Sequence, residues 1–280
     1  MPSELASKTL PHANPEDWKK HRFGLSEERW KNLRDKSVWV TGAGSGFGQA
    51  LSVALAAAGA RVFLTGRRRA KLDESLQKMK LMGINPQNCR PIEADLKDFH
   101  KIKKICGEII RSCGVLDGLV NNAALPSTGR DWPLTEDSVE EWENILRTNV
   151  TAPWFLTREI LPSMGERARV IFVTSEAGWA FTPGYGPYNI SKAALNNLSA
   201  SLAEEATTRF PHKDIQINTI APGVAKTEMN PHASESPYSI VSMALLLLTQ
   251  PAGGPSGKFF HKDGRHLEFT TAARYEKLLS

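Results

Sequence analysis

Tyr188-Asn189-Ile190-Ser191-Lys192 places a phenol and an ammonium four residues apart. In a helix such residues share a face, so both groups point into the same space. A phenol titrating near ~10 is a poor acid or base at neutral pH. A cation held alongside favours phenolate and draws that value towards the working range. Taken alone, the pair is no different from a surface Tyr–Lys pair. Upstream, however, Val173-Thr174-Ser175-Glu176-Ala177-Gly178 closes an apolar run, and Ser175 there can donate a hydrogen bond to an oxygen on which charge develops. Proton donor, cation and oxygen stabiliser together suit the interconversion of a carbonyl and an alcohol.

A second cluster lies near the start of the chain. Thr41-Gly42-Ala43-Gly44-Ser45-Gly46-Phe47-Gly48 follows an apolar run and leads into an Ala-rich segment. Glycines in such a loop let the backbone approach a pyrophosphate seated at a helix N-terminus. Gly42, Ser45, Gly46 and Phe47 are the candidate contacts, and Gly48 permits close packing of helix on sheet. The next apolar run ends Leu64-Thr65-Gly66-Arg67-Arg68-Arg69. In dinucleotide folds an acid at this place binds the ribose 2′-hydroxyl of NAD, whereas an Arg accommodates the 2′-phosphate of NADP. Here Gly66 replaces the acid, and Arg67 and Arg68 can grip a phosphate in forked fashion. NADP (NADPH) is therefore expected over NAD. The competing reading is that these arginines merely open a solvated helix.

Regularly spaced elements must hold these groups. Short apolar runs at 37–41, 61–65, 90–94, 117–121, 169–174, 215–220 and 257–262 read as strands, several without polar alternation, as in a parallel sheet covered on both faces. Segments of helical period lie between them, at 48–58, 72–82, 102–111, 139–148 leading on towards Met164, and 193–207. The pattern predicts an α/β Rossmann-type fold: one domain over 36–280, with a doubly wound parallel sheet of about seven strands and helices on both faces. Residues 1–35 are expected to form a helical extension, with helix starts at Asn14-Pro15-Glu16-Asp17 and Ser26-Glu27-Glu28.

The glycine loop spaced T-G-x-x-x-G-x-G, the run Asn121-Asn122-Ala123-Ala124, the Ser175 segment, Y-x-x-x-K and the turn Pro222-Gly223 follow one another in an order that resembles the short-chain dehydrogenase/reductase family. The resemblance covers roughly 36–263. It implies that Asp95 and Leu96 contact the adenine, although Asp95 also suits a helix cap. It places Asn122 and Ala123 beside the cofactor; the family's N-N-A-G ends here in Ala124. Asn149 matches a fourth catalytic position that shapes the helix and a water path to the lysine. Pro222, Gly223, Ala225 and Thr227 fall along the nicotinamide, and Lys192 would also hold its ribose. Ser45 stands where extended, epimerase-like members carry glycine, which counts against that branch. Family members commonly assemble as homodimers or homotetramers, here through the helices around 140–164 and 191–207. The short segment 228–237 and the ending 257–264 resemble carbonyl-reductase-like members with a small lid. Trp132, Trp179, Phe181, Tyr185 and Met229 are candidates for an apolar wall facing a small-molecule carbonyl or alcohol substrate. Two alternatives remain: a non-catalytic NADP-binding regulator or scaffold, and a sugar-nucleotide- or ketoacyl-modifying biosynthetic enzyme.

Bulk composition narrows the field. The 280 residues carry 35 basic and 30 acidic side chains, a net +5 spread along the chain, which gives little reason to expect a nucleic-acid partner. The segment 61–80 concentrates seven basic residues. No apolar run approaches the ~20 residues needed to span a bilayer, and Met1–Leu10 lacks the apolar core of a signal peptide. The three cysteines show no metal or C-x-x-C spacing, and the histidines are scattered. A soluble cytoplasmic protein without metal or membrane partner is expected.

Overall fold

A computed structural model describes residues 21–126, 134, 138–179 and 184–267. Asn14-Pro15, Trp132 and Phe181 lie outside the described residues. Seven strands run parallel: β1 (Ser37–Thr41), β2 (Arg61–Gly66), β3 (Cys89–Glu93), β4 (Leu116–Asn121), β5 (Met164–Val173), β6 (Asp214–Ala221) and β7 (Phe259–His261). An unanticipated two-residue strand, β8 (His266–Leu267), pairs antiparallel with β7. The order across the sheet is β3-β2-β1-β4-β5-β6-β7-β8. The chain reverses its direction of travel between β1 and β4, which opens a crevice at their carboxyl ends.

The helices are α1 (Glu27–Lys31), α2 (Gly46–Ala57), α3 (Arg69–Leu81), α4 (Phe99–Cys113), α5 (Val139–Leu146), α6 (Ala152–Ile160), α7 (Gly186–Arg209) and α8 (Val241–Leu248). Successive strand residues point to opposite faces. Val38 and Val40 pack with Leu51, Leu55 and Leu245 on one side, while Trp39 packs with Phe63, Ile105 and Leu156 on the other. Both faces being covered explains why β1 is buried at every position. The Trp39 indole meets its one polar need by donating to Thr65 Oγ1 at 2.7 Å.

Two expectations change. The helical run from 139 does not continue to Met164. It is broken by a π-helical turn at Arg147–Thr151, resumes as α6, and β5 already begins at Met164. The segment before β1 is also tied into the core. Ser26 caps α1, and Phe23, Leu25 and Leu33 are buried in the same apolar cluster as α2 and α8. Phe23 stacks on Tyr238 with centroids 6.0 Å apart, and its carbonyl accepts a 2.6 Å bond from Ser242.

Gly48 shows how tightly α2 is drawn onto the crevice. A Cβ there would lie 2.3 Å from the Gly42 carbonyl oxygen and 2.5 Å from Asn122 Nδ2. Helix propensity favours Ala over Gly by about 1 kcal/mol, but overpacking against a fixed backbone oxygen costs about 1–3 kcal/mol. Gly48→Ala should therefore lower the urea midpoint without changing the slope. An unchanged or raised midpoint would contradict this packing.

Candidate functional site

The carboxyl ends of the strands surround a cavity of about 470 Å³ that runs from the glycine loop to the Tyr188 segment. Its floor is set by the end of β1. Thr41 Oγ1 accepts the amides of Asn122 (3.0 Å) and Ala123 (3.1 Å), and Asn122 Nδ2 donates to the carbonyl oxygens of Thr41 (2.9 Å) and Gly42 (3.3 Å). Gly42 and Gly46 hold φ of +66° and +53°, values that L side chains adopt only with strain. Ser45 occupies the N-cap of α2 without bonding it through its side chain. Gly42, Ser45, Gly46 and Phe47 line the cavity, as do Asp95, Leu96, Asn122 and Ala123. This cradle fits a dinucleotide pyrophosphate: the backbone can approach closely, and the N-terminus of α2 supplies amides for an anion. Asp95 does not cap α4. Its carboxylate accepts the Lys97 amide, while Asp98 caps the helix.

Arg67 and Arg68 leave the end of β2 exposed at the cavity edge. Arg67 makes no ion pair with any described residue. Arg68 donates to Glu228 Oε2 at 2.5 Å, and Lys71 lies 3.7 Å from the other Glu228 oxygen. Its two cations hold the Glu228 carboxyl below the usual range, the Arg68 hydrogen bond most strongly. Pairing with a residue 160 positions away left no mark in the local sequence.

At the other end stand Ser175, Tyr188 and Lys192, the last two on α7. The Ser175 hydroxyl lies beside the Tyr188 phenol, where it favours the phenolate. Lys192 Nζ donates to the Val173 carbonyl at 3.0 Å and lies 5.4 Å from the Tyr188 ring centroid. The expected lowering of Tyr188 by its neighbouring cation is not what dominates. Burial pushes the phenol up to about 12, against the Ser175 hydrogen bond, which favours phenolate. Burial also pulls Lys192 down to about 8. Desolvation outweighs the attraction because both groups are almost wholly enclosed. Tyr188 is thus a protonated phenol at neutral pH, equipped to give a proton.

Asn149 does not line the cavity. It is buried in the π-helical turn, where its amide accepts the Leu125 amide (2.7 Å) and donates to the Leu125 carbonyl (3.0 Å) and Ser191 Oγ (3.0 Å). Ser191 in turn donates to the Tyr188 carbonyl at 2.7 Å. Asn149 thus joins the exit of β4 to α7 and touches neither Tyr188 nor Lys192 by hydrogen bond. Pro222, Gly223 and Thr227 line the cavity, whereas Ala225 is fully buried behind them. Of the apolar candidates, Tyr185 and Met229 line the cavity, while Trp179 packs edge-on against Phe259. Thr148, Lys71 and Asn230 also line it. They were missed because position in the fold, not residue type, brings them there. Among the described residues, no three His, Cys, Asp or Glu side chains are placed to hold a metal, and no helix is long and apolar enough to cross a membrane.

The shifted lysine has a consequence for stability. Lys192 titrates at about 8 in the fold against an ordinary 10.5, so between those values the unfolded chain holds a proton that the native chain has released. Native stability contributed by this group therefore rises with pH across that window. Tyr188, raised from 10 to about 12, acts in the opposite sense only above pH 10. Urea unfolding from pH 8 to 10 should show the wild type gaining on Lys192→Met by on the order of 2 kcal/mol. Parallel profiles would refute the assigned burial.

Comparison with known proteins agrees with this geometry. The family model described as short chain dehydrogenase matches residues 36–237. Human dehydrogenase/reductase SDR family member 4 is 32% identical over 226 residues, covering 74% of this chain and 77% of that protein. A solved short chain dehydrogenase from Pseudomonas syringae superposes with a TM-score of 0.75 at 30% identity, covering 83% of this chain and 96% of the other. One from Shigella flexneri, complexed with NADP, gives 0.74 at 25% identity, covering 83% and 99%. The chain belongs to the short-chain dehydrogenase family.

Proposed function

We propose that this protein is an NADP(H)-dependent oxidoreductase that interconverts a carbonyl and an alcohol, with Tyr188 as general acid and base. The observation carrying this reading is a single cavity that runs from the glycine loop to a buried Tyr188 flanked by Ser175 and Lys192. A bound nicotinamide would supply or accept the hydride. The chain's own groups do the rest. Ser175 holds the substrate oxygen and stabilises charge that develops there. Tyr188 gives that oxygen a proton in reduction and takes it back in oxidation. Lys192, anchored on Val173, favours the phenolate formed after transfer and is placed to hold a ribose. Asn149 keeps α7 and the Leu125 backbone in register behind them.

Preference for NADP over NAD is supported by Gly66 at the end of β2, where a carboxylate would repel a 2′-phosphate, and by Arg67 and Arg68 beside it. The Shigella flexneri relative solved with NADP points the same way. Arg67 is the stronger candidate ligand, because Arg68 already shares its charge with Glu228.

Two measurements test this reading. Tyr188→Phe should abolish NADPH oxidation across a panel of aldehydes and ketones while leaving NADPH binding, followed by fluorescence, within about twofold; retained turnover would remove Tyr188 from the chemistry. Arg67→Ala should raise KM for NADPH by at least about tenfold and leave KM for NADH nearly unchanged. Equal effects on both cofactors would sink the phosphate assignment.

A further inference from the structure

Strand β7 and the turn after it contribute no residue to the cavity lining. Two consecutive side chains at its end nevertheless reach the two walls between which the reaction would run. His261 is buried, and its imidazole lies between two carboxylates, with Nε2 3.1 Å from Glu176 Oε1 and Nδ1 2.8 Å from Asp263 Oδ2. Glu176 directly follows Ser175 and opens the one-turn 3-10 helix Glu176–Gly178. The Ala177 amide of that turn donates to Ser175 Oγ at 3.2 Å. Holding Glu176 therefore holds the turn that aims the Ser175 hydroxyl.

Lys262 faces the other wall. Its ammonium pairs with Glu235, and its amide donates to the Ala221 carbonyl at 3.0 Å. Its stem fills the space under Gly223, where an added Cβ would come 3.0 Å from Nζ and 3.1 Å from Cε. The Glu235 carbonyl accepts the Lys226 amide at 2.7 Å, so the same tie secures the segment that follows Pro222-Gly223. Both pairs are largely shielded on the β7 side, with side-chain exposure of 10% for His261 and 15% for Lys262. In each pair one partner is thus withdrawn from solvent, unlike a pair exposed on both sides, which contributes little.

We propose that His261 and Lys262 are positioning residues: His261 sets the Ser175 turn through Glu176, and Lys262 sets the Pro222-Gly223 turn through Glu235. The catalytic consequence rests on the oxidoreductase reading above. Because β7 is hydrogen-bonded along β6, one rigid strand end fixes the spacing between the group that holds the substrate oxygen and the turn expected along the nicotinamide. A small error in such spacing is costly, since misplacement by about 1 Å can cost about a hundredfold in rate.

The test uses the full-length protein and the variants His261→Gln, Glu176→Gln and Lys262→Met. Glu176 is an exposed side chain, so its variant keeps the test informative should a His261 variant fold poorly. The first readout is amide hydrogen exchange without cofactor. His261→Gln and Glu176→Gln should speed exchange at 175–179, and Lys262→Met at 222–236. The second is NADPH oxidation with diacetyl as probe. The first two variants should lower kcat about tenfold with KM for NADPH held within about twofold, whereas Lys262→Met should raise KM for NADPH about tenfold. The charge-reversed pair Lys262→Glu with Glu235→Lys should recover much of that loss. Unchanged exchange at these segments overturns the proposal, as does a uniform loss of kcat and KM that tracks the melting temperature. If exchange responds as expected but the wild type oxidises no NADPH with any carbonyl, the oxidoreductase reading falls and the catalytic role of the brace falls with it. The two failures are thus distinguishable.

Discussion

The contact on which the site depends is the one between the ends of β1 and β4. Thr41 and Asn122 exchange hydrogen bonds across the gap where the chain reverses its direction of winding. Gly48 brings the first turn of α2 against the same place. Backbone polar groups at this crevice are thereby satisfied by partners within the protein. The glycine loop is held open on one side and the Leu125 strand exit on the other. Loosen this junction, and the glycine loop and the Tyr188 segment would no longer share one cavity.

A second set of constraints fixes α7. Thr174 donates to Asn196 at 2.6 Å, and Gly178 approaches so closely that a Cβ would meet Asn196 Nδ2 at 2.7 Å and the Lys192 carbonyl carbon at 2.9 Å. Asn149 adds the bridge from α7 to the Leu125 backbone through Ser191. The Thr174–Asn196 and Asn149–Ser191 bonds are buried, so each would leave an unpaired polar group if broken, at a cost of about 1–3 kcal/mol. The geometry of the proposed catalytic groups is therefore maintained by the same interactions that hold helix to sheet. The burial that rigidifies Tyr188 and Lys192 also moves their proton affinities in opposite directions, leaving a neutral acid beside a weakened cation.

The recesses of the site differ in how they are held. At the end away from the arginines each tie from β7 has its β7 partner withdrawn from solvent, His261 at 10% and Lys262 at 15% exposure. At the arginine end the Arg68–Glu228 tie is exposed on both partners, 60% and 48%, where solvent weakens ionic contacts. Such a contact can be exchanged for another anion with little loss, which suits a place where a phosphate would enter and leave.

How much of this was legible in the sequence follows from the range of each interaction. Strand and helix positions could be read because alternation and helical period are local signals. Ser26 as a cap and the glycines of the loop were legible for the same reason. The π-helical turn around Asn149 could not be read, since Asn149 is tied there to Leu125 and Ser191, which lie 24 and 42 residues away in the chain. Nor could the elevated proton affinity of Tyr188, because spacing shows that a lysine is near but not how far water is excluded. The family, the parallel doubly wound class of the fold and many of the residues that line the crevice were legible from residue types and spacing. Only the folded arrangement decided that Glu228 would answer Arg68 and that Ala225 and Asn149 would stand behind the cavity wall. The physical reason is that these outcomes depend on desolvation and on contacts between distant segments, and neither exists until the sheet has brought those segments together.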